Sequence, residues 1–88
     1  MQRGILQLTK EEVIVLNNAF HWDINGHTIL ASKLQYAMEN LQDTHSIEVS
    51  EDDLELLLDD IMPVDETNPI LKNVMEKVSN LLRQLRNL

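Results

Sequence analysis

Apolar residues recur at helical spacing in four stretches of this chain, and three of them open on a residue suited to cap a helix. Thr9 precedes Lys10-Glu11-Glu12-Val13, so its hydroxyl can cap the first helix while Glu12 reaches back and Leu8 staples onto Val13. Val13, Leu16 and Phe20 mark the inner face, and the turn-forming run Asp23-Ile24-Asn25-Gly26 stops it, which predicts a helix over about residues 10–22. From Thr28 onward, Leu30, Leu34, Ala37, Met38 and Leu41 predict a second helix over about 28–42, failing before Asp43-Thr44-His45-Ser46. Ser46-Ile47-Glu48-Val49 alternates polar and apolar and predicts a short strand, paired with His27-Thr28-Ile29.

At Ser50 the arrangement around Thr9 returns after a shift of 41 residues. Val49 takes the staple position, Ser50 the cap, and Asp53, Leu54, Leu57 and Ile61 stand for Glu12, Val13, Leu16 and Phe20. This predicts a helix over about 51–62, ended by Met62-Pro63. An internal repeat and the chance recurrence of a well-capped amphipathic helix both fit so short a match. Asn68-Pro69 then supplies a cap and a first-turn proline. A last helix follows over about 69–87, with Leu71, Met75, Val78, Leu82 and Leu85 as a heptad-like seam widened by Ile70, Val74, Leu81 and Leu88. Arg83 and Arg86 fall in its last turns, at the negative end of the helix dipole. The expected fold class is therefore all-α: one compact four-helix domain over residues 1–88. Residues 1–8 form an N-terminal arm, and the only sheet expected is a minimal two-strand pairing between the first two interhelical connections.

Length narrows this picture. Eighty-eight residues with 43% hydrophobic content and only Phe20, Trp22 and Tyr36 as aromatics build a modest aliphatic core. A core of that size contributes about 3–5 kcal/mol of net stability unless a second subunit adds buried area, so the wide apolar stripe of the last helix makes a homodimer the alternative architecture. The absence of cysteine excludes disulfides and thiolate chemistry and fits a reducing compartment, with cytoplasm as the expectation. No run approaches the ~20 apolar residues of a membrane span, and MQRGILQL does not read as a signal peptide.

Charge changes it most. Residues 34–71 hold eleven carboxylates (Glu39, Asp43, Glu48, Glu51, Asp52, Asp53, Glu55, Asp59, Asp60, Asp65, Glu66) and no Lys or Arg, net −11. The flanks carry seven basic and four acidic residues, so the whole-chain value of −8 conceals a strong asymmetry. Phosphate backbones are repelled by such a segment, which disfavours nucleic acid as a ligand and favours a protein with a basic surface.

No cofactor loop or catalytic constellation emerges. The segment LTKEEVIVLNNAF, the Asn25-Gly26 turn and ILASKL together resemble the two helices and loop of a calmodulin-type EF-hand, but His21 and Ser32 would stand at the first and twelfth ligand positions, so no Ca²⁺ site is expected. Size, acidity and helicity also resemble acyl carrier proteins, yet Ser32 lies in Ala31-Ser32-Lys33-Leu34 without the preceding Asp of the attachment motif. His21, Asp23 and His27, even with His45, lack a geometry that would make a tetrahedral metal site. Asp59 and Asp60 are helix neighbours about 100° apart and do not share an acid–base site. The expectation is no enzyme, no cofactor and no metal.

The candidate site is a docking surface. A helical wheel buries Leu54, Leu57, Leu58 and Ile61 and leaves Leu56 exposed among Asp52, Asp53, Asp59 and Asp60. Val15 and Trp22, i and i+7 on the helix of residues 10–22, form a second patch. A protein–protein interaction or regulatory module follows, with apolar anchors for affinity and charge for specificity. A charge-mimic inhibitor, resembling immunity proteins in that role, is its sharper form, and the homodimer is the competing structural reading.

Overall fold

The computed structural model describes residues 3–62 and 67–87. Seven elements follow in the order β1 (Arg3–Thr9), α1 (Lys10–Ala19), α2 (Trp22–Asn25), α3 (Ile29–Glu39), β2 (Thr44–Ser50), α4 (Glu51–Ile61) and α5 (Pro69–Arg86). The all-α expectation is thus overturned: β1 and β2 form a two-stranded antiparallel sheet, and five helices rather than four surround it. The supposed N-terminal arm is a strand. Leu6 and Leu8 point into the core while Ile5 and Gln7 face solvent, an alternation too short to stand out from sequence. The strand at residues 46–49 is present but longer, and its partner is β1, not His27-Thr28-Ile29, which leads into α3.

The first helix is also divided. α1 ends at Ala19, with Phe20 in extended conformation as its C-cap, and residues 22–25 make a separate helical turn rather than an irregular one. α4 ends at Ile61 with Met62 as cap. Pro63, Asp65, Glu66 and Leu88, invoked above for helix termination, charge and the last apolar stripe, lie outside the described residues.

Both capping boxes form. Thr9 Oγ1 accepts from Glu12 N–H at 3.2 Å while Glu12 Oε1 accepts from Thr9 N–H at 2.8 Å. Ser50 and Asp53 repeat this at 3.2 and 3.0 Å. Glu12 is further buried against Lys77 Nζ at 2.6 Å, tying α5 to α1. Burial pushes the Glu12 carboxyl up, but the Lys77 ammonium and the Thr9 amide outweigh it and hold it below the ordinary carboxylate range.

The strand pairing has an internal symmetry. Arg3 pairs with Ser50, Leu6 with Ile47 and Thr9 with Thr44. Shifting Thr9 onto Ser50, 41 positions on, carries Arg3 onto Thr44 and Leu6 onto Ile47, so the ladder maps onto itself about the Leu6–Ile47 pair. The helices follow suit. α1 continues from β1 as α4 does from β2, and α3 packs on α1 as α5 packs on α4. Leu16 and Leu57 are equivalent and both fully buried, as are Val13 and Leu54, each worth about 1.5–3 kcal/mol of burial. The molecule is two strand–helix–helix units around a pseudo-two-fold axis and one aliphatic core.

α5 uses its apolar stripe within the chain. Leu71, Val74, Val78, Leu82 and Leu85 are buried, Met75 and Leu81 pack on the core, and α5 contacts α4, α1 and β1. The feature that suggested a homodimer through this helix is covered by the chain itself.

Candidate functional site

α4 and the single turn α2 enclose an open groove of about 540 Å³, lined by His21, Ile24 and Asn25 on one side and Asp52, Glu55, Leu56, Asp59 and Asp60 on the other. Residues 52, 55, 56 and 59 stand at helical positions i, i+3, i+4 and i+7, which places them along one stripe of α4. Leu56 is half-buried against the core and forms an apolar lining of the groove, not the exposed knob that the helical wheel suggested. Ile24, 65% exposed, stands on the opposite wall.

The four aspartates named from sequence separate into three roles. Asp52 and Asp59 are exposed on the groove. Asp53 is committed to the capping box of Ser50. Asp60 is buried, and its carboxylate accepts from His21 N–H at 2.8 Å and from Asn25 Nδ2 at 3.0 Å, with His21 Nδ1 at 2.6 Å. These bonds fasten α2, which has no buried residue of its own, to α4. The Asp60 bond and charge raise the His21 pKa above its ordinary value, reinforced by Asp23. Glu55, His21, Ile24 and Asn25 were missed as groove residues by sequence reasoning, the last three because only the packing of α2 across α4 brings them there. Glu55 alone was accessible from the i, i+4 spacing to Asp59.

Val15 and Trp22 are both half-buried against the core rather than exposed. Trp22 is half-buried, its ring edge-on to Phe20 at 4.8 Å and its indole N–H donating to Asn17 C=O at 2.9 Å. It lines a separate groove with Gln35, Met38 and Glu39. Val15 is half-buried on α1 and is the pseudo-two-fold equivalent of Leu56. The two sequence patches therefore began from one architectural position seen twice.

That equivalence provides an internal control on charge. Asp52, Glu55, Asp59 and Asp60 correspond to Glu11, Ile14, Asn18 and Ala19 on α1. The same fold position is satisfied with one carboxylate in the first unit and carries four in the second. Their local roles differ: Asp52 lies in the first turn of α4, where the helix dipole favours it, and Glu55 pairs with Arg86 of α5, whereas Asp59 stands i, i+4 from Glu55 as a like charge and lies at the negative end of the dipole.

Other clusters are sparse in chemistry. Among the described residues, no group of three or more His, Asp or Glu is arranged to hold a metal ion, and no helix is long and apolar enough to cross a membrane. His45 Nε2 accepts from Gln42 N–H at 3.0 Å. No family model, curated protein or solved structure matches the chain.

Proposed function

We propose that the chain is a protein-binding module that docks a basic partner surface in the α2–α4 groove. Leu56 and Ile24 supply the apolar anchor, Asp52 and Asp59 select cationic side chains beside the Glu55–Arg86 ion pair, and the Asp60–His21–Asn25 bonds hold the wall in place. The observation that carries this reading is the contrast between α4 and α1. Asp59, whose place Asn18 takes in the other unit and whose charge costs helix stability in α4, is accounted for by a ligand. The reading assigns no catalysis to the groove. The lack of cysteine, compatible with a reducing compartment, supports a cytoplasmic setting for the encounter.

The test compares three baits in native-host lysate at low salt: wild type, the groove variant Asp52→Asn/Glu55→Gln/Asp59→Asn, and Glu11→Gln/Glu39→Gln/Glu76→Gln, which removes equal charge elsewhere. A basic protein held by wild type and by the second variant, lost by the groove variant and released by salt, is the expected result. Equal retention by both variants would sink the proposal.

A further inference from the structure

The sheet has two outer edges, and the two units treat them differently. Lys10 N–H donates to Asp43 C=O at 3.1 Å at the end of the ladder, which sets the antiparallel alternation: Leu6–Ile47 and Leu8–His45 exchange bonds, while Ile5, Gln7, Ser46 and Glu48 turn their backbone groups outward. Lys33 Nζ, donating to the outward Glu48 C=O at 2.7 Å, agrees with this phase. So do the amides of Thr9 and Ser50, which turn to their capping carboxylates.

At the β1 edge, α5 is pressed against the strand. A Cβ at Gly4 would lie 2.9 Å from Leu81 Cδ1, so the glycine lets the Leu81 side chain approach the strand closely, and a larger residue would make it shift. The groove beside it is lined by Gln7, Lys77, Asn80 and Gln84 together with Ile5, Leu6 and Leu81. At the β2 edge the equivalent helix α3 stops at Glu39, the counterpart of Asn80, and nothing corresponds to the Leu81–Arg86 turns. A groove of about 360 Å³ remains between α3 and β2, floored by Ala37 and Ile47. Above it stand Ile29, 77% exposed, and Tyr36, 69% exposed, seven residues apart on one side of α3. Among the described residues, the outward amide and carbonyl of Ser46 and the amide of Glu48 meet no partner.

We propose that this face is covered by a second copy of the chain, related by a two-fold axis at Ser46. Pairing β2 antiparallel with its mate sets Ser46 opposite Ser46 and Thr44 opposite Glu48. The result is a four-stranded sheet in the order β1-β2-β2-β1, with both copies of α3 on the same side of it. One operator thereby satisfies the open backbone groups and brings each Ile29–Tyr36 pair toward its mate. A two-stranded sheet with an open edge is the element that gains most from extension. Charge favours this face over the α2–α4 groove for two acidic chains to meet: its groove is lined by one carboxylate, Glu48, which is paired with Arg3, and by Lys33, whereas four carboxylates line the α2–α4 groove. The Lys33 ammonium yields Glu48 C=O to the incoming strand. Residual repulsion makes the association stronger as salt rises, opposite to the salt response of the basic-partner groove.

Sedimentation equilibrium of the whole chain at increasing concentration, in low and high salt, tests this, with amide exchange measured in parallel. The expected result is a mass moving from 10.2 kDa to twice that value, sooner in high salt, with exchange at Ser46 and Glu48 slowing as dimer forms. The variant Ile29→Ser/Tyr36→Ser, at exposed positions and neutral in charge, should remain at the monomer mass with unchanged helicity. A wild type that stays monomeric at the highest concentration overturns the proposal. So does a dimer that the double variant leaves intact, or one whose Ser46 amide exchanges at the monomer rate.

Discussion

Helices α1 and α4 hold equivalent places in the fold and present opposite surfaces. Each follows a strand, opens on a reciprocal capping box, and buries a leucine completely at its second apolar inner position, Leu16 in one and Leu57 in the other. Their outer stripes then diverge: Glu11, Ile14, Val15 and Asn18 on α1 against Asp52, Glu55, Leu56 and Asp59 on α4. What the two share is what the fold requires, namely the cap and the inner apolar face. What they do not share is free to serve recognition, and in α4 it is a run of carboxylates around a leucine.

The comparison is broken most directly in the core. Leu16→Ala and Leu57→Ala should each destabilise by about 2–5 kcal/mol in urea unfolding, alike because the sites are equivalent and both fully buried. A small cost at one and a large cost at the other would show that the units do not contribute equally.

A smaller effect belongs to the one buried carboxylate without a counterpart. Ala19, the equivalent of Asp60, needs no partner, whereas Asp60→Ala leaves His21 and Asn25 without their acceptor and should cost about 1–3 kcal/mol. It should also remove a pH dependence. Because the folded His21 pKa lies above the ordinary 6.5, its contribution is complete below pH 6.5 and is lost as pH rises through the raised value. Melting temperatures across that window should fall with pH in wild type and flatten in Asp60→Ala. Persistence of the slope in the variant would assign it to another group.

The smallest effect sharpens the comparison by making α4 more like α1. Asp59→Asn introduces the residue type found at Asn18, relieves the i, i+4 repulsion with Glu55 and removes a negative charge from the helix C-terminus. A gain of about 0.3–0.5 kcal/mol in chemical denaturation is expected, alongside weaker capture of a basic partner. Loss of stability instead would mean that Asp59 has an architectural role.

Much of the helical content was legible along the chain. Thr9, Ser50 and Asn68 each cap the helix that their spacing announced, and α4 and α5 start where expected, while α3 runs from Ile29 to Glu39 with Thr28 as its cap, shorter than the expected 28–42. Of the site, Asp52, Leu56 and Asp59 were found through the stripe they form on one helix. His21, Ile24 and Asn25 were not, since they come from a turn whose position across α4 depends on a hydrogen bond spanning 39 residues. The same distance in sequence hid the sheet. Leu6 and Leu8 offer a period-two signal of only two residues, and no local feature says that their partner lies beyond three helices.

By itself the sequence determined what short-range chemistry controls: where helices begin, which face of each is apolar, that the middle of the chain is acidic, and that Thr9 and Ser50 open similar units. The tertiary structure decided what depends on long-range closure. It paired β1 with β2, turned a 41-residue echo into a two-fold relation, split four aspartates into rim, cap and latch, and half-buried Leu56. The physical reason is that a cap or an amphipathic stripe is complete within one or two turns of chain. A sheet edge or a groove exists only once segments far apart in sequence have been brought into contact by the common core.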